Sequence, residues 1–81
     1  MLENPIEKRR KELKISRKKL AEKLDIHYTT LFNIEKGRVN SVNDKVLDYL
    51  KEKGYDRKNI VNDYKKYKKK KRENIMKDIN N

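Results

Sequence analysis

Cysteine is absent from this 81-residue chain, so disulfides and thiolate metal sites are excluded and the composition suits a reducing compartment. No apolar run approaches the roughly 18 residues a membrane span needs. Met1-Leu2-Glu3-Asn4 has none of the character of a signal peptide. A cytoplasmic protein without a membrane partner is therefore expected. Histidine occurs once, and there is no P-loop, no nucleophile with a matching base and no metal-spaced carboxylate set. Nothing in the chain points to an enzyme, a metal, a cofactor or a small-molecule ligand. Glycine is found twice and proline once, each where a helix is expected to start or stop.

Charge is what the chain has in excess. Charged residues make up 46% and hydrophobic ones 33%, enough for one small core but not for an enzyme pocket as well. The formal charge of +11 calls for a polyanionic partner, nucleic acid first and an acidic membrane surface second. The abundance of Lys, Asn, Ile and Tyr suits an AT-rich genome.

The stretch from Ser16 to Arg38 organises the rest. Leu20, Ala21 and Leu24 share one face of a short helix. Leu31 and Ile34 share one face of a second, and Gly37 stands where that helix should stop. Between them Asp25-Ile26-His27 is a tight turn, with Ile26 placed to plug the corner and Ala21 small enough to let the helices cross closely. Two helices so joined form a helix-turn-helix, whose second helix enters the DNA major groove. In that helix, residues 28–36, the outward positions are Tyr28, Thr29, Phe32 and Asn33. Phe32 and the Thr29 methyl can pack on thymine methyls, Asn33 can bind adenine, and Tyr28 can reach a base or a phosphate. The alternative for Phe32 is a turn back into the core. Thr30 is expected to face the protein or the turn, and His27 to pack or cap.

Elsewhere the signals are helical too. Asn4 and Pro5 open a first helix, with Glu7 able to complete a capping box. Ile6 and Leu13 share its face, and Arg9 and Lys11 are expected in solvent. Ser16 caps the next helix alone. The cations Arg17, Lys18 and Lys19 have the wrong sign for its N-terminal dipole, a mismatch that a phosphate would offset. For Lys18 and Lys19 an ordinary surface role stays open; Arg17 is expected to contact phosphate. Ser41 or Asn43 caps a helix running to about Lys53, with Val42, Val46, Leu47 and Leu50 inward and Tyr49 half-buried. Gly54 ends it. Asp56 then caps a helix in which Ile60, Val61 and Tyr64 share a face.

After Tyr64 the composition changes. Residues 65–72 hold seven cations and one aromatic, and from Gly54 onward ten Lys/Arg stand against four Asp/Glu, over half of the net charge. Such a block repels itself, and in isolation is disordered or a frayed helix. It would serve as an arm on phosphates or as a solubilising tail. Ile75, Met76 and Ile79 are spaced for one helix face, either a dimer or partner patch or a fraying terminus. The expected division is a helix-turn-helix domain at residues 1–64 and a lysine-rich extension at 65–81. The expected fold class is all-α, a bundle of about five short helices with a basic C-terminal extension.

Arg10, Leu13, Ile15-Ser16, Leu20-Ala21, Ile26, Leu31, Ile34, Glu35 and Gly37 together resemble the phage-repressor-like helix-turn-helix proteins, the lambda/434 repressor and Cro class, over roughly residues 5 to 61. Three positions depart from that pattern: Arg17 where Gln is common, Asp25 where the turn usually has Gly, and Tyr28 where Gln, Ser or Arg is frequent. Asp tolerates a left-handed turn at small cost. The resemblance implies an ion pair between Arg10 and Glu35, and a loop after Gly37 that follows the DNA backbone. Its phosphate-contacting set is Ser16, Arg17, Lys36, Arg38, Asn40 and Asn43. It also implies a role for the fifth helix in closing the core and forming a homodimer. The expected function is a transcriptional regulator that binds double-stranded DNA, a repressor or control protein of phage or plasmid type, closer to Cro than to a full phage repressor. It would bind a palindromic operator as a dimer, because one module reads too few base pairs. Two alternatives stand beside this one: an antitoxin-like protein-interaction module that also binds DNA, and a basic RNA-binding or architectural protein.

Overall fold

Four of the five helices open on a side chain that satisfies an amide their first turn leaves free. In the computed structural model, which describes the backbone of residues 3–80 and the side chains of residues 3–73, they run α1 (Pro5–Glu12), α2 (Arg17–Leu24), α3 (Tyr28–Glu35), α4 (Asp44–Glu52) and α5 (Arg57–Asn80). Asn4 Oδ1 accepts from the Ile6 and Glu7 amides at 2.9 and 3.1 Å. Ser16 Oγ accepts from Lys19 at 3.1 Å, Asn43 Oδ1 from Lys45 at 2.8 Å and Asp56 Oδ1 from Lys58 at 2.7 Å. His27 occupies the remaining junction, before α3, without a side-chain cap. The capping box expected at Glu7 is not used: its carboxylate takes Arg17 at 3.1 Å and Lys11 at 3.4 Å.

The turns follow from backbone chemistry. Asp25 ends α2 in the left-handed region at φ 53°, where a short polar side chain costs little. Lys14, after α1, adopts the same conformation at φ 57°, a position with no signal in its residue type.

One core holds the five helices together. Ile6 of α1, Leu20 and Ala21 of α2, Leu31 and Ile34 of α3, Val46 and Leu50 of α4 and Ile60 and Tyr64 of α5 are all buried. Leu13, Ile15, Leu24, Ile26 and Val61 pack on its edge. Tyr49 is buried rather than half-buried, with the Lys23 and Lys53 ammoniums over its ring. Among the described residues there is no strand.

Two further expectations change. Arg9 is not solvated: it pairs with Asp63 at 2.7 Å, donates to the Pro5 carbonyl at 3.1 Å and lies over the Tyr55 ring, joining α1 to α5. The helices are also not all short, because α5 runs for 24 residues without a break at Tyr64. The lysine run that would repel itself alone is docked here. Tyr64 is buried, the Tyr67 ring lies 6.1 Å from it, and Lys68 and Lys71 reach the end of α3. The side chains of Ile75, Met76 and Ile79 lie outside the described residues.

Candidate nucleic-acid interface

The α2–turn–α3 unit is built from the inside out. The Ile26 amide donates to the Ala21 carbonyl at 3.0 Å, and Ala21 itself is buried. Leu31, Ile34 and Glu35 turn inward, so the opposite side of α3 is left to face outward. Tyr28 is 48% exposed and Thr29 is exposed, while Phe32, Asn33 and Thr30 are half-buried.

Phe32 neither returns to the core nor stands free. Its ring stacks with Tyr28 at 6.3 Å and 26°, and carries Arg17, Lys36 and Arg38 around it at 5.2, 5.4 and 5.5 Å. Three cations around one ring, next to an exposed tyrosine, make a positive surface with an aromatic floor. Asn33 lies beside it, its Oδ1 accepting from Arg38 at 3.4 Å.

Beneath this surface sits a fully buried carboxylate. Glu35 receives Arg10 in a fork, Nε at 2.9 Å and Nη2 at 3.1 Å, and Arg17 Nε at 3.1 Å from the other side. The remaining Arg10 nitrogen donates to the Ile15 carbonyl at 2.9 Å. The fork fixes two nitrogens on two oxygens, so α1 and α3 are held in one relative register.

Arg17, expected on phosphate, is engaged by the protein's own groups in this structure. Besides Glu35 it donates to Glu7 Oε2 and to the Tyr28 hydroxyl, both at 3.1 Å. Burial would lower its pKa, but the hydrogen bonds to Tyr28 and Glu35 outweigh that and hold it above its ordinary value. Of the other expected phosphate contacts, Lys36, Arg38 and Asn40 are exposed. The oxygens of Ser16 and Asn43 are spent as caps on α2 and α4. Lys18 and Lys19 are exposed at the α2 N-terminus.

The C-terminus of α3 is braced by residues that the sequence alone does not assign to it. The Ile34 carbonyl accepts from Asn4 Nδ2 and from the Tyr64 hydroxyl, both at 2.9 Å. Burial, then the neighbouring Tyr67, push the Tyr64 phenol up to about 12. Lys68 Nζ donates to the Gly37 carbonyl at 2.8 Å and Lys71 Nζ to that of Lys36. Cations at a helix C-terminus complement its dipole. Tyr64, Lys68 and Lys71 recur at i, i+4 and i+7, and that spacing within the lysine run is the signal that could have found them.

Among the described residues no cluster of His, Cys, Asp or Glu is arranged to hold a metal ion, and no helix is long and apolar enough to cross a membrane. A family model described as helix-turn-helix matches residues 6–48, which takes in α1 to α3 and the first half of α4. Searches of curated proteins and of solved structures returned no match. With just over half of the chain matched, the protein belongs to the helix-turn-helix family of phage repressor/Cro-like DNA-binding regulators.

Proposed function

We propose that the protein is a transcriptional repressor or control protein of phage or plasmid type that recognises a palindromic operator in double-stranded DNA as a homodimer. The observation that carries this reading is the outward side of α3: Tyr28, Thr29, Phe32 and Asn33 lie together on a rigid two-turn helix, with Lys36 and Arg38 beside them. In a major groove, Phe32 and the Thr29 methyl would meet thymine methyls and Asn33 would take adenine N6 and N7. To do so Asn33 exchanges its long bond from Arg38 for the base, which frees Arg38 to turn to a phosphate. Lys36 and Asn40 would follow the backbone beside it. One such surface reads only about four to six base pairs, so two copies on inverted half-sites supply the missing specificity. Bound there, the protein would block polymerase by occupancy.

Selection of bound duplexes from a random pool tests this directly. An inverted repeat is expected, with half-sites about one helical turn apart. Phe32→Ala with Asn33→Ala should erase the preference at the base pairs those two side chains meet and keep salt-sensitive non-specific binding. If that double variant enriches the same repeat as the wild type, the reading is wrong.

A further inference from the structure

Arg17 and Tyr28 are the two positions where the outward surface is joined to the buried ion pair. The guanidinium holds Glu35 through Nε, Glu7 through Nη2 and the Tyr28 oxygen through Nη1, each at 3.1 Å. A guanidinium has donors only. In the Arg17–Tyr28 hydrogen bond the phenol oxygen is therefore the acceptor, and the phenol proton must point elsewhere. The ring is not free to reverse this: it stacks on Phe32 at 6.3 Å, with the Arg17 guanidinium 5.9 Å from its centroid. Arg17 is equally restrained, because one of its anionic partners, Glu35, is completely buried and also forked by Arg10.

We infer that Arg17 is a positioning residue that fixes Tyr28 as a hydrogen-bond donor toward DNA, so that α3 selects a base with a major-groove acceptor and rejects cytosine at one position of each half-site. This rests on the DNA-binding reading above. In the major groove guanine offers N7 and O6, adenine N7 and thymine O4, all acceptors, whereas cytosine offers only the N4 amino donor. A free tyrosine hydroxyl would adapt to either kind of edge. One whose oxygen is held by a cation accepts poorly and donates well, so the discrimination comes from the residue behind the tyrosine.

The test uses the full-length chain and random-pool selection for the wild type, Tyr28→Phe and Arg17→Gln, with thermal melts to confirm folding. Tyr28→Phe leaves every Arg17 ion pair in place. It should flatten the preference at one base pair per half-site and lower affinity for the best site roughly five-fold, the worth of one hydrogen bond. The base preferred there by the wild type should be guanine, adenine or thymine, with cytosine excluded. Arg17→Gln supplies an amide oxygen that can take the phenol proton, so cytosine should become tolerated at that position only. If Arg17→Gln fails to fold, Tyr28→Phe and the wild-type base decide. An unchanged preference in Tyr28→Phe overturns the inference, as does a uniform loss of affinity (a phosphate contact) or a wild-type choice of cytosine. If Arg17→Gln folds and discriminates as the wild type does, the positioning role falls. A wild type that enriches no sequence removes the DNA-binding reading as well, whereas an inverted repeat with an unaltered Tyr28→Phe profile removes this inference alone.

Discussion

A carboxylate with no exposed surface survives only if its partners replace the water it lost, and Glu35 has two guanidiniums to do so. Removing Glu35 leaves the buried Arg10 guanidinium without a carboxylate, and removing Arg10 leaves the buried carboxylate with Arg17 alone. Glu35→Leu or Arg10→Met alone should each cost about 3–5 kcal/mol, with the double variant losing less than the two added together. Denaturant titration of the four proteins measures the coupling, and strict additivity would show that the pair is not energetically linked. Tyr64 carries a second test, set by pH. Its phenol is raised from the ordinary 10.0 to about 12 by burial, so the neutral form is the one the fold prefers. Its contribution is complete below about pH 10 and is lost as pH rises toward 12. Stability of the wild type relative to Tyr64→Phe should be flat at neutral pH and fall across that alkaline window. The hydroxyl bonds to Ile34 and Val39 should make the neutral-pH difference about 1 kcal/mol.

Helix α5 changes what the end of α3 means. Gly37 has φ +69°, and a Cβ there would come 2.7 Å from Tyr67 Cε1. Two separate penalties follow, left-handed strain and a ring clash. Gly37→Ala should destabilise by about 1 kcal/mol for the conformation alone and by more with the ring in place. In a Tyr67→Ala background the same substitution should cost less, because only the first penalty remains. Equal costs in both backgrounds would mean that α5 does not press on Gly37. The stop at Gly37 is legible in the sequence, since glycine after a helical stripe is a local signal. The ring above it is not, because an approach between residues so far apart in the chain leaves no periodicity. The same division runs through the molecule. Caps at Asn4 and Ser16, the Asp25 turn and the inward set Leu20, Ala21, Leu31 and Ile34 are readable from spacing. The pairing of Arg10 with Glu35 is readable only through a family pattern. Arg9 on Asp63 and Arg17 on Tyr28 are not readable, because a cation in a basic chain looks the same in sequence whether it faces water or a carboxylate.

Taken as one body, the molecule measures 43 × 24 × 20 Å, and α5, about 36 Å long at 1.5 Å per residue, accounts for the long axis. The +11 charge is spread unevenly, and the cations of residues 65–72 fall into two groups. Lys68 and Lys71 are spent on carbonyls at the end of α3. Lys65, Lys66, Lys69, Lys70 and Arg72 are exposed. If the run from residue 65 onward is an arm on phosphates, the second group should control salt dependence and the first group stability. Every cation taken off a phosphate lowers the slope of log affinity against log salt by about 0.9. Changing Lys65, Lys69 and Arg72 to Gln should then flatten that slope by up to about 2.7, with the melting temperature unchanged. Changing Lys68 and Lys71 to Gln should lower the melting temperature and shift affinity mainly through a looser α3. Salt titration of DNA binding and thermal melts on the same two variants separate the roles. An unchanged slope in the first variant would make those three cations a solubilising surface, because charges that never meet phosphate release no counterions.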